Sequence, residues 1–136
     1  MITAEINYWA VLVSAVVGFA IGSVWYMPRA FGSQWMALIG KTQADIKMSF
    51  NSTLFGKTFV ATLIMVYILA HFVDYAGATT PGQGALTGWW LWLGFVATIM
   101  FINVLYENKP LKLWAINAGY QLVVLIVVGA ILATWT

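Results

Sequence analysis

Residues 8–28 read YWAVLVSAVVGFAIGSVWYMP, from Tyr8 to Pro28, without one Asp, Glu, Lys or Arg. The apolar run extends from about Ile6 to Met27, roughly 22 residues or about 33 Å as an α-helix, enough to cross a hydrocarbon core of about 30 Å. Tyr8 and Trp9 mark one limit, and Trp25 and Tyr26 the other. Those are the aromatic belts expected where a spanning helix meets its two interfaces. Pro28 ends the helix. Three further apolar stretches repeat the pattern, at about 54–76, 84–106 and 111–135.

Composition points the same way. The chain has 136 residues, the length of one domain, and is 62% hydrophobic but only 7% charged. A soluble domain carries about 25% charged residues because its surface must be wetted. A net charge of +2 is far too small for a nucleic-acid footprint. With no cysteine, thiol redox chemistry, disulfides and iron–sulfur ligation are excluded. Glu5 is the only charge ahead of the first apolar run, and no small-residue cleavage site follows it, so the first helix is expected to be retained. The expected fold class is all-α, a single integral membrane four-helix bundle.

The connections differ in kind. Gly77 to Gly84 is a short loop, with Thr80 as a helix cap and Pro81 at a first helical position. Glu107-Asn108-Lys109-Pro110 is shorter still. Short links make antiparallel neighbours, so helices two, three and four should form consecutive hairpins. The link after Pro28 is longer and semi-apolar over about residues 31–50, with Phe31, Trp35, Leu38, Ile39, Ile46 and Phe50 interleaved with Lys41, Asp45 and Lys47. Gly40 reads as a stop, and Thr42 to Asp45 as a restart close to a capping box. An amphipathic interfacial segment on the cytoplasmic side is the expectation; a loop folded over the bundle is its alternative.

Orientation follows from charge. Arg29, Lys41, Lys47, Lys57, Lys109 and Lys112 all belong to the first and third links. That side should be cytoplasmic and both termini outward, in a multi-pass protein of the cell (inner) membrane. The same bias argues against a dual-topology dimer.

Helix one carries Ala10, Ser14, Gly18 and Gly22 every four residues. Such a stripe lets two backbones approach closely, which in lipid replaces the hydrophobic drive to associate. The partner is either another helix of the same chain or another subunit.

Polar groups at membrane depth need a partner or a purpose. His71, the only histidine, lies about 21 Å beyond Lys57 along helix two. Asp74 shares its face. A His–Asp pair would serve as a proton shuttle or an oriented metal ligand; the plainer reading is a polar helix end near the headgroups. One histidine excludes bis-histidine haem, and no cofactor or metal is called for. On helix four, Asn117, Tyr120 and Gln121 form a second cluster, at a depth comparable to Asn103 on helix three. These amides either bridge helices or line a substrate patch. No ionisable group lies near the middle of any helix, no internal proline breaks one, and no inverted repeat is evident, so a coupled transporter lacks its usual parts.

Trp25-Tyr26-Met27-Pro28 with Phe31-Gly32 and Trp35, then Trp92-Leu93-Gly94-Phe95, Glu107 with Pro110, and Ile116-Asn117-Ala118-Gly119-Tyr120 together resemble a family of small bacterial membrane proteins. The family is domain of unknown function seventeen sixty-one, and the likeness covers nearly the whole chain. The resemblance implies a four-helix membrane protein and brings no activity or catalytic residues with it. The expected function is therefore non-enzymatic: a structural or accessory membrane protein, whose partners are the lipid bilayer and either copies of itself or a larger membrane complex. The alternative is a small transporter or channel for a neutral or apolar compound, with Asn103, Asn117 and Gln121 as its polar contacts.

The one-sidedness of Lys and Arg makes the topology testable. A periplasmic phosphatase fused after Thr136 is expected to be active. Fluorescence from a C-terminal reporter that matures only in the cytoplasm would refute the assignment.

Overall fold

The computed structural model describes residues 4–135; the two chain ends to which the topology expectation refers, residues 1–3 and 136, lie outside it. The described chain is all-α. The elements are α1 (Tyr8–Trp25), α2 (Ser33–Ile39), α3 (Gln43–Ser49), α4 (Ser52–Tyr75), α5 (Pro81–Leu91), a π-helical segment (Trp92–Ala97), α6 (Thr98–Tyr106) and α7 (Leu111–Thr134). Because α5, the π segment and α6 run on as one rod, four helices are long and apolar enough to cross a membrane: 8–25, 52–75, 81–106 and 111–134.

Local chemistry sets most boundaries. Asn7 caps α1 by accepting from the backbone N–H groups of Trp9 and Ala10. Asn51 caps α4 three residues before the apolar run begins, so that helix starts at Ser52. Thr80 caps α5 with Pro81 in the first turn, and Gln83 closes a capping box by accepting from the Thr80 N–H. Gly40 ends α2 in the left-handed region at φ 71°, where a side chain would be strained. Thr42 and Asp45 exchange hydrogen bonds as a full capping box opening α3. The Thr42 N–H holds the Asp45 carboxyl below its usual pKa. A depressed carboxyl pKa means that the cap is intact at neutral pH and is lost as pH falls through that value.

The link between α1 and α4 is thus two short helices rather than an open loop. Trp35, Met36, Leu38 and Ile39 of α2 are half-buried, while Ser33, Gln34 and Ala37 are exposed. In α3 only Ile46 is partly covered.

α7 is the hub. It packs against α1, α4 and α5, and its inner face supplies Val124, Leu125, Val128, Leu132 and Ala133 to the core. The closest approach is with α5. A β-carbon at Gly84 would land on the Gly129 carbonyl, and one at Gly88 on the Leu125 carbonyl. Backbones in contact gain dispersion along the whole crossing, and in lipid this is a principal attraction between helices. The helix-one stripe faces inward as well. Ala10 and Ser14 are fully enclosed, and Gly18 sits between Val124 and Thr62, where a β-carbon would make ordinary contacts at 3.4 and 3.5 Å. The Ser14 hydroxyl is buried without a hydrogen-bond partner. The tighter small-residue crossing is therefore α5 on α7, through Gly84 and Gly88 spaced four apart. The sequence reading passed over that pair.

The third rod contains an irregularity that no proline announces. Between Trp92 and Ala97 it widens to a π-helix, which turns the following side chains relative to the preceding ones.

These crossings rank the glycines. Gly88→Ala is expected to lower stability by about 1–3 kcal/mol, because the new methyl meets backbone that cannot yield. Gly18→Ala should be tolerated. Gly94→Ala, whose methyl meets nothing, should be neutral or stabilising by about 0.5–1 kcal/mol. Thermal unfolding of the three variants in one detergent reads the order; equal effects would show that the α5–α7 contact is looser than described.

Candidate functional site

The polar groups gather where the C-terminal end of α1 meets the N-terminal half of α7. After α1 the chain reverses through Tyr26–Gly32. The Gly32 N–H donates to the Met27 carbonyl at 2.9 Å, and the Ser33 hydroxyl donates to the Pro28 carbonyl at 2.9 Å. A β-carbon at Gly32 would strike the Tyr26 and Met27 carbonyl groups, so this turn closes only on glycine.

The turn aims two aromatic donors at α7. The Trp25 indole donates to the Ile116 carbonyl at 3.0 Å, and the Tyr26 hydroxyl donates to the Asn117 side-chain oxygen at 2.7 Å. One turn further along α7, the Tyr120 hydroxyl donates back to the Gly18 carbonyl at 3.0 Å. Two glycines make room. A β-carbon at Gly22 would lie 2.8 Å from the Tyr120 hydroxyl oxygen, and one at Gly119 would lie 3.2 Å from the Trp25 ring. Phe31 packs on Trp25 with ring centroids 4.6 Å apart, and Trp35 meets Tyr26 edge-on at 5.3 Å. Tyr26 and Tyr120 are also edge-on, at 5.5 Å.

The third rod joins α7 by the same chemistry. The Trp92 indole donates to the Ala118 carbonyl at 2.8 Å, and the Trp114 indole donates to the Ala97 carbonyl at 2.9 Å. These residues bracket the π segment, where ladder hydrogen bonds are rearranged and a carbonyl needs another donor. Each accepting carbonyl has a second lone pair beyond its helical bond. Three indoles and two phenols thus tie α1 and the third rod to α7.

The expected polar residues separate into used and unused groups. Asn117 and Tyr120 belong to the clasp. Asn103 does not bridge to Asn117, whose partner is Tyr26; it lies exposed near the end of α6. Gln121 is half-buried beside the clasp. His71 and Asp74 are not joined: His71 Nδ1 is 2.8 Å from the Tyr67 carbonyl oxygen of the preceding turn, and its ring lies edge-on between Tyr67 and Tyr75. Asp74 instead borders a cleft of about 290 Å³ at the opposite end of the bundle, with Glu5, Asn7 and Trp135. Among the described residues no three of His, Asp and Glu lie close enough to hold a metal ion. The clasp residues that the sequence did not single out as contacts are Trp25, Tyr26, Trp92 and Trp114. Trp25 and Tyr26 carried a signal as belt aromatics, but an indole at an interface does not announce which carbonyl it reaches, and nothing in the sequence pointed to Trp92 or Trp114 as donors.

The clasp bonds carry a measurable coupling. Tyr26→Phe and Asn117→Leu are each expected to lower stability, with a coupling of about 0.6 kcal/mol and no more than about 1.7 kcal/mol in a double-mutant cycle. Gln121→Leu should leave stability unchanged. Strict additivity of the first pair would show that the bond is absent in solution.

Neither curated proteins nor solved structures give a detectable match to the chain. A family model does, described as a protein of unknown function (DUF1761), over residues 9–133. That span contains every residue of the clasp, and of the motifs that suggested the family, the Trp25–Trp35 stretch, Trp92 and the Ile116–Tyr120 segment supply clasp contacts. With nearly the whole chain inside the match, the protein belongs to the DUF1761 family.

Proposed function

We propose that this is a non-enzymatic, multi-pass inner-membrane protein acting as a structural or accessory unit, as a homo-oligomer or within a larger membrane complex. The observation that carries the reading is the use made of its polar groups. Tyr26, Asn117 and Tyr120 bond from helix to helix, and the indoles of Trp25, Trp92 and Trp114 bond to backbone carbonyls. Groups committed in this way hold the bundle together instead of presenting themselves to a substrate. The clefts at the α1–α7 rim and along α4 include none of Asn103, Asn117, Tyr120 or Gln121, so the transporter reading finds no support in those amides.

Orientation completes the proposal. The basic residues sit in the turn after α1, in the α2–α3 link, in α3, in the second turn of α4, in the α6–α7 link and in the first turn of α7, at one end of an antiparallel bundle. The bias of Lys and Arg supports a cytoplasmic location for that end. α2 and α3 then lie along the inner surface, with the half-buried side of α2 turned to the clasp.

Native mass spectrometry of the tagged chain released from its own membranes tests the reading. A defined homo-oligomer, or a partner subunit at fixed stoichiometry, is expected. A monomer with no associated subunit would refute it. So would a double variant, Asn117→Leu with Gln121→Leu, more stable than the parent, since that is the behaviour of cavity-lining amides.

A further inference from the structure

α4 has a side that no helix of this chain covers. Val66, Leu69, Ala70 and Val73 face the core, whereas Thr53, Gly56, Lys57, Val60, Ala61 and Ile64 line an open groove on the exposed side. These positions recur at three- and four-residue intervals, so they form one stripe. Gly56 and Ala61 make the dent: a β-carbon at Gly56 would meet nothing within 4 Å. From Thr53 to Ile64 the stripe is about 16 Å long, roughly half a hydrocarbon core of about 30 Å, which is the depth of one leaflet.

The groove is polar at one end only. Lys57 stands there, with the hydroxyl of Thr53 one turn away. Deeper in α4, Thr58 and Thr62 donate their hydroxyls to the carbonyls of Leu54 and Thr58. Thr53 is in the first turn, where α4 has no carbonyl of its own four residues back, so its hydroxyl is free of that internal bond. An ammonium and a hydroxyl at headgroup level, above an apolar trough one leaflet deep, match a phosphate joined to an acyl chain.

We propose that this face of α4 is a binding site for an anionic phospholipid of the inner leaflet, its phosphate on Lys57 and Thr53 and one acyl chain along Gly56, Val60, Ala61 and Ile64. The inference rests on the membrane reading above. A second copy of the chain fits less well, because two-fold pairing of parallel α4 helices would bring Lys57 towards its own mate. A lipid phosphate neutralises that charge.

The test uses the full chain in nanodiscs of equal phosphatidylglycerol and phosphatidylcholine with identical acyl chains, followed by mass spectrometry of the lipid retained on release. The parent is expected to retain phosphatidylglycerol over phosphatidylcholine by about fivefold, the preference one Lys confers at an anionic surface. Lys57→Gln should abolish the preference, and Gly56→Leu should do so by filling the trough without touching its neighbours. Lys112→Gln, at the same end but outside the groove, should keep it. Equal losses in Lys57→Gln and Lys112→Gln would reduce the effect to a diffuse field and overturn the site. An unchanged preference in Gly56→Leu would overturn the acyl-chain seat. A smaller oligomer in Gly56→Leu would assign the groove to a second copy. Extraction of the parent by alkaline carbonate would refute the membrane reading, and this inference with it. A carbonate-resistant chain without lipid preference refutes the inference alone.

Discussion

The contact between α5 and α7 is the constraint on which the rest of the bundle depends. Gly84, Gly88 and Gly129 let two backbones touch, and no side chain can be inserted there without pushing the helices apart. Close approach brings the Trp92 indole within hydrogen-bonding distance of the Ala118 carbonyl and Trp114 within reach of Ala97. A helix separation larger by one methyl would stretch these bonds beyond useful length, since they weaken steeply with geometry. In a low-dielectric surrounding the abandoned indole N–H groups would then be costly.

α7 serves three neighbours at once, and its sequence divides accordingly. Its second half is apolar and small on the inner side, with Val124, Leu125, Val128 and Gly129 filling the space against α1, α4 and α5. Its first half carries the polar work through Ile116, Asn117, Ala118 and Tyr120. The carbonyls of Ile116 and Ala118 receive indoles from opposite sides. This division explains why the polar bonds between helices cluster near one end, while the cleft beside Glu5 and Asp74 lies at the other. It also gives the membership of the family a physical content. The Trp-Tyr-Met-Pro turn, Gly32, Trp35 and the Ile116–Tyr120 segment are separated in sequence but form one contact.

Nothing in the composition signals the π segment. Trp92 to Ala97 contains no proline, and Gly94 faces open space. The distortion coincides with the stretch where the third rod must bond α7 twice, through Trp92 at its start and Ala97 at its end. A straight α-helix carries its contact face gradually around the axis; one widened turn resets that face. The tertiary bonds to α7 thereby account for the local irregularity.

Hydropathy and capping chemistry were legible from the residues alone. The four spans, the stop at Gly40, the capping box at Thr42 and Asp45, and the helix start at Thr80 and Pro81 depend on neighbours within a few positions, and the sequence contains those neighbours in full. The candidate site was legible only in part. Asn117 and Tyr120 stood out because polar groups in an apolar helix must be satisfied, but their partners, Tyr26 and the Gly18 carbonyl, lie 91 and 102 residues away. Pairings over that distance depend on helix rotation and crossing, which apolar periodicity does not specify when helices are hydrophobic on every side. For the same reason the structure alone separated Asn103 from Asn117 and His71 from Asp74. Residue type determined which groups required partners; the packing of α1 and α5 on α7 decided which partners they met.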